Sequence, residues 1–392
     1  MTSPALLHRH QSSLEGVINF SAATPLSDGQ RASARQRFYC ITDHFGAHNG
    51  NQDTQYSAPR LVRLTYEHAL SEPSRDNFLR AFFQAMVLSI EGPGAEAEAE
   101  AGDYEDLRSP FFAFADYLLD NFFLPLKAST RRTPQPSPAF HSAIERVQAG
   151  GVQDFTGTPD RVSALRGACL IRDRHRCVIT RSFDMAEATN RMRIARSDSA
   201  LDDDGTLLQE HDSFGVLEVA HILPHSLMKT DVGSELSPSK QAALAILNML
   251  DDGVVHLIEG TAIDRPRNAL TLTHGMHLLF GDFLVFFEPV CHTNPHTYRI
   301  GSFLPEIIQR NQSLPVTRTL YLSHNQTIDP PSPRLLALHR AIAYILHLSA
   351  AGEYIDKLLR DMDGQGILAD GSTELDRLVR LGLRGWSGNE VC

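Results

Sequence analysis

EVAHILPHSL at residues 218–227 and RNALTLTHGMHLLFGDFLVFF at 267–287 bracket the stretch whose reading decides the fold. FGVLEVAHI (214–222) is an apolar run with β-branched residues, which predicts a strand ending close to Pro224. On the far side DRPR (264–267) is turn-forming and Asn268 opens the strand-like ALTL. A helix is expected from His274 to Phe283. Between the halves, SPSKQAALAILNML (237–250) reads as a helix capped by Ser237 with Pro238 in its first turn. Two strands and a helix thus carry histidines at 221 and 277.

Working outward, TPDRVSALRG (158–167) predicts a helix with Thr158 as cap, and Cys177–Thr180 a short strand entering a turn. Residues 184–213 are polar and poorly periodic, an expected insertion. Residues 129–140, STRRTPQPSPAF, form the clearest linker, and EGPGAEAEAEAGDYED (91–106) reads as a solvated acidic loop. SPFFAFADYLLDNFFLPL (109–126) has a dense aromatic face, with Pro110 placed in the first turn of a core helix. From Arg60 to Ile90 apolar residues at helical spacing predict two helices split near Pro73, the second capped by Ser74. Residues 1–58 lack a sustained period and are expected to be an irregular arm, with GVINF (16–20) and RFYCI (37–41) as short strands. At the other end TYRIGSF and VTRTLYL predict strands, and residues 334–363 one long amphipathic helix with a break near Gly352.

The chain of 392 residues is 42% hydrophobic and 21% charged, the composition of a soluble globular protein. No apolar run approaches the roughly 18 to 20 residues that span a bilayer, and the first residues lack a secretory segment, so no membrane association and an intracellular location are expected. Cys40, Cys169, Cys177, Cys291 and Cys392 include no CxxC pair, which favours reduced thiols. A formal net charge of −11 excludes a surface that is everywhere a nucleic-acid platform, so any such contact must be focal. From Asp160 to Ala200 nine Arg face five Asp and Glu, a local excess of positive charge.

Cutting a phosphodiester requires a water made nucleophilic and neutralisation of charge on the phosphate and leaving oxygen. A neutral histidine suits the first task. His221 reads either as such a base or as a satisfied strand-end histidine. Asn268 reads as a fixer of the local backbone, a metal donor or a turn cap. His277 would bring an imidazole from the helix toward the same ion. His274, one turn earlier, is a substitute ligand or part of the helix start. His225 and Asp282 are close in sequence, with surface roles as the plainer reading.

The ordered set E-x-A-H-I-x-P, N-A-L-x-L and H-x-x-F resembles the HNH endonucleases with a ββα-metal core, a fungal subgroup of them especially. It is carried by Glu218, Ala220, His221, Ile222 and Pro224, then Asn268, Ala269, Leu270 and Leu272, then His277 and Phe280, with Cys177 in RCVIT as a further match. The resemblance implies an α+β fold: a ββα-metal core with elaborated loops, a mainly helical region before it and a long C-terminal helix after it. With the boundaries read from composition and periodicity above, the chain divides into an arm (1–58), a helical region (59–128), a linker (129–155), an HNH nuclease domain (156–300) and C-terminal strands with a helix packed on the core (301–392).

It also implies a metal-dependent endonuclease acting on DNA. His221 would be the general base, Asn268 the orienting residue and His277 the metal ligand. Ala220 stands where many HNH enzymes have a second ligand; Glu218, about 6.7 Å back on the same strand face, is the candidate in its place. Mg²⁺ is the expected ion, with Zn²⁺, Mn²⁺ or Ni²⁺ also accommodated. The competing reading is an HNH fold retained as a catalytically inactive binding or assembly module, with the C-terminal helix as a protein-partner surface.

Overall fold

Ala34, Phe38, Ile41 and Phe45 recur every three or four residues and are all buried, one helical face turned into a core. They belong to α1 (Asp28–His48) in the computed structural model, which describes residues 24–48, 56–91, 104–130, 158–195, 199–228, 237–291, 293–323, 327–364, 377 and 381. A helix therefore stands at Asp28–His48, within the expected irregular arm and in place of the strand at RFYCI. The polar residues crowded between the four apolar ones mask their period. GVINF, the acidic run after Glu91 and most of the linker lie outside the described residues.

In α2 (Ala58–Glu67) and α3 (Glu72–Ala85), the side chains of Ser57 and Ser71 accept the amides of Arg60 and Ser74. Ser71, not Ser74, caps the second helix. The helix α4 (Glu105–Leu118) starts before Ser109, so Pro110 falls inside it and not in its first turn. A π turn at Leu119–Phe123 leads to α5 (Leu124–Thr130). Pro125, just beyond that turn, has no N–H for the regular ladder.

The next described elements are α6 (Thr158–Arg172) and a turn, not a strand, at Cys177–Thr180, closed by Arg181 N–H donating to Cys177 O at 3.0 Å. The expected insertion instead holds α7 (Met185–Ala195), which follows β1 (Phe183–Asp184) and whose Glu187 amide is capped by Asp184 at 2.8 Å. β2 (Phe214–Gly215) pairs in parallel with β1, and β3 (Leu217–His221) precedes α8 (Pro238–Leu250), capped by Ser237 as its sequence indicates. β4 (Ala269–Thr273), antiparallel to β3, runs directly into α9 (His274–Gly281). β5 (Val285–Pro289), β6 (Thr297–Ser302) and β7 (Val316–Thr319) form an antiparallel sheet, with α10 (Glu306–Asn311) between the last two. The long C-terminal helix is two helices, α11 (Pro333–Leu348) and α12 (Ala351–Gly364). They part at Ala350, whose φ of 61° ends the first, while Ser349 Oγ accepts the Ala351 amide at 3.3 Å. No single described helix is long and apolar enough to cross a membrane.

The chain divides into two compact units. Met1–Pro125, Thr230–Val255 and Ile345–Gly385 make the first. Its aromatic centre sets Phe38 against Tyr66, Phe78 and Phe82, with ring centroids 4.9, 5.6 and 5.0 Å away. Residues around α8 belong here: Leu70 N–H donates to Leu250 O at 2.8 Å and Asp252 N–H to Ser74 Oγ at 2.7 Å. Leu126–Lys229, His256–Tyr344 and Trp386–Cys392 make the second. There Leu165 and Cys169 of α6 pack with Val219 of β3 and Ala269 of β4. His339 of α11 stacks on Phe280 at 3.9 Å and its Nε2–H donates to Phe280 O at 3.0 Å; burial lowers its pKa to about 3, so the ring is neutral.

Beneath β4 lies a fully buried ion pair. Arg172 donates to Asp173 at 2.8 Å and to the carbonyls of Pro266 and Ala269 at 2.7 and 2.9 Å, and Asp173 accepts the Thr271 amide at 3.2 Å. Removing one member of such a pair strands the other charge in the interior. Arg172→Ala should therefore lower the unfolding free energy by about 3 to 5 kcal/mol in urea melts, and a loss near zero would show that the pair does not brace β4.

Candidate active site

The antiparallel register sets Glu218 opposite Leu272 and His221 opposite Ala269. Side chains alternate across a strand, so Glu218 and His221, three residues apart, leave β3 on opposite faces. Each meets a different group of partners.

His221 ends β3 and is buried. The ladder continues one step past it, with Ile222 N–H donating to Asn268 O at 2.8 Å. The fully buried Asn268 side chain accepts the Leu223 amide at 3.0 Å and donates to the carbonyls of Leu223 and Ile263, both at 2.9 Å. Both amide hydrogens are thus used in holding backbone. These bonds fasten the segment after His221 to the 3-10 turn Gly260–Asp264.

That turn presents Asp264, whose Oδ1 lies 3.2 Å from His221 Nε2 and 2.8 Å from His225 Nδ1, while Oδ2 accepts from Arg161 Nε at 3.1 Å. An ionised carboxylate only accepts, so both imidazoles donate to it. In a neutral His221 ring the proton then sits on Nε2 and the lone pair on Nδ1, a buried atom with no hydrogen-bond partner. Burial alone would raise Asp264, but the bonds from His221 and His225 outweigh it and hold the carboxyl below its usual range.

Glu218, on the other face, has one oxygen 2.8 Å from His274 Nδ1 and the other 2.6 Å from His277 Nδ1. His274 and His277 stand one turn apart at the start of α9, immediately after β4. His274 is exposed and His277 buried. Burial pushes Glu218 up, and the two imidazole hydrogen bonds more than reverse it, leaving the carboxyl below its ordinary value.

The family comparison bears on this same stretch. Residues 177–288 match the HNH endonuclease family. No curated protein and no solved structure matches the chain. The HNH domain so delimited contains both side-chain groups, every residue named as a site candidate from the sequence, and α8. It has the mixed helix and strand character of an α+β fold.

The structure joins the sequence candidates into two groups around the HNH strands, His221 with His225 and Glu218 with His274 and His277, and gives Asn268 to the backbone. Asp282 touches neither group in the hydrogen bonds described above. Asp264 is the residue that sequence reasoning missed; its only sequence signal was a place in DRPR, where it reads as a turn former. Among the described residues, His221, His225 and Asp264 form a group whose donor atoms lie within 4.8 Å of one another and is compatible with a metal.

Asp264 and Glu218 bind protons less readily folded than unfolded. Their contribution to stability is therefore complete above the ordinary carboxylate range, roughly pH 4, and is lost as the pH falls through their lowered folded values. Urea melts from pH 7 down to 3 should show stability declining with acid, and Asp264→Asn should flatten that slope. An unchanged slope would mean that His221 and His225 do not hold the carboxylate ionised.

Proposed function

We propose that the chain is a metal-dependent endonuclease that hydrolyses phosphodiester bonds in DNA, with a ββα-metal arrangement of β3, β4 and α9. The observation that carries this reading is the Asp264–His221 pair inside a segment matching HNH endonucleases. Asp264 fixes the ring through Nε2 and leaves Nδ1 to take a proton from water, the division of labour a general base requires. Asn268 sets where that ring stands, because it holds the backbone that follows His221. As protonation develops on His221, the carboxylate at Nε2 stabilises the imidazolium.

Glu218 and His277, with His274 beside them, are the residues that would hold a divalent ion. One carboxylate and two imidazoles suit Zn²⁺, Mn²⁺ or Ni²⁺, and Mg²⁺ where water completes the oxygen set. Such an ion would neutralise charge growing on the phosphate and leaving oxygen. Glu218 thereby supplies the carboxylate that Ala220 lacks.

The 4.8 Å grouping of His221, His225 and Asp264 supports a second reading, in which these three hold the metal. Metal content and plasmid nicking, measured together, separate the two. On the first reading His221→Ala keeps its metal and loses about 10² to 10⁴-fold in nicking rate, while His277→Ala and Glu218→Gln lose metal and His225→Ala retains it. On the second, His221→Ala and His225→Ala lose metal and His277→Ala does not. Full nicking by His221→Ala would sink both, and wild-type protein that fails to nick with every divalent ion supplied would point to an inactive fold serving as a binding module.

A further inference from the structure

The basic excess between Asp160 and Ala200 is mostly neutralised within the protein. Arg161, Arg172, Arg174, Arg176 and Arg191 each face a carboxylate. Arg181 has none among the described residues. It sits in the turn after Cys177 with a φ of 66°, a conformation that costs a non-glycine residue energy and is kept where surroundings or function demand it.

Its guanidinium lies 4.3 Å over the ring of Tyr321 and donates from Nη2 to the carbonyl of Thr319, whereas Nη1 is buried with no hydrogen-bond partner. Arg318 of β7 reaches the other way, from Nε to Ile179 O at 2.7 Å. It too has no carboxylate partner among the described residues. Arg174 approaches the same tyrosine ring at 4.9 Å but is matched by Asp204. Each guanidinium is thus anchored to the other's segment, Arg181 to the carbonyl next to Arg318 and to the Tyr321 ring, and Arg318 to the carbonyl of Ile179 in the Arg181 turn. Burial, with the charge of Arg318 beside it, lowers the proton affinity of Arg181.

Neighbouring like charges with no carboxylate in contact call for an anion, and the planar guanidinium fork matches a phosphate. The location agrees. Val178 N–H of the same turn donates to Thr271 O at 2.9 Å, and Thr271 pairs with Val219, the neighbour of Glu218. The arginine pair therefore flanks the strand pair that carries the candidate active site.

We infer that Arg181 and Arg318 together bind one backbone phosphate of the nucleic-acid substrate, away from the bond that is cut. This assignment rests on the nuclease reading and adds a substrate-holding subsite to it. Such contacts fix register on the strand and carry no base information.

The test is equilibrium binding of a labelled DNA duplex over a NaCl series, using the full chain with His221→Ala so that the duplex survives. Each phosphate contact contributes about 0.9 to the slope of log affinity against log salt. Arg318→Gln and Arg181→Gln should each flatten the slope by about that amount and weaken binding severalfold, without dependence on duplex sequence. Arg318→Lys, which keeps the charge but lacks the Nε bond to Ile179, should retain the slope. A clamp with only a structural role would lower the melting temperature in Arg318→Lys and Arg318→Gln alike and leave both slopes at the parent value, which overturns the assignment. Should Arg181→Gln not fold, the two Arg318 variants decide. Altered slopes in a chain whose wild type never nicks DNA would retain the phosphate subsite and remove the nuclease reading; a parent chain that does not bind DNA removes both.

Discussion

Asn268 spends its carboxamide on the carbonyls of Leu223 and Ile263 and on the amide of Leu223, closing an excursion of 45 residues in the chain. Those bonds are fully buried, so water cannot replace them, and loss of any one strands a backbone group in the interior. Everything chemically suggestive around His221 depends on this closure. Without it, Asp264 would belong to a turn with no fixed relation to the end of β3, and the imidazole would have no reason to prefer one nitrogen for its proton. The side chain acts at one remove, by deciding where other groups stand.

Around β3 and β4 the buried carboxylates are placed where partners are plentiful. Arg172 and Asp173 satisfy each other and four backbone groups, the carbonyls of Pro266, Ala269 and Asp329 and the amide of Thr271. Asp264 has two imidazoles and a guanidinium, and Glu218 two imidazoles. Asp264 and Glu218 are thereby kept ionised in surroundings that would otherwise favour their protonation. A polar network of this density tolerates little partial disruption.

How much of this was legible in the sequence depends on the range of the signal. The strand at Leu217–His221, the strand at Ala269–Thr273 and the helix after it were legible because apolar runs, a proline-bearing turn and a periodic stretch are local. Ser237 as a cap was legible for the same reason, since Lys240 lies only three residues on. Ser71 was overlooked in favour of Ser74 because two serines compete near Pro73, and only the backbone shows which one stands outside the helix. The face of α1 was written in Ala34, Phe38, Ile41 and Phe45, yet surrounding polar residues diluted it below recognition. The partition of the histidines was half legible: strand parity alone separates Glu218 from His221, but nothing local announces that Asp264 returns to His221 across 43 positions. Arg181 and Arg318, 137 positions apart in number, illustrate the same limit.

The membership of the Thr230–Val255 stretch in the first unit has a consequence for the order of events during synthesis. That unit draws on three separate lengths of chain, and the bond from Asn77 to Asp252 spans 175 positions. Phe38, Phe78 and Phe82 leave the ribosome early, whereas α8 and the residues around Tyr354 that complete the unit emerge much later. Contacts of such high order form slowly, and an aromatic nucleus waiting for its final neighbours is exposed to self-association meanwhile. The nascent N-terminal helices are accordingly the segment on which a holding chaperone would act.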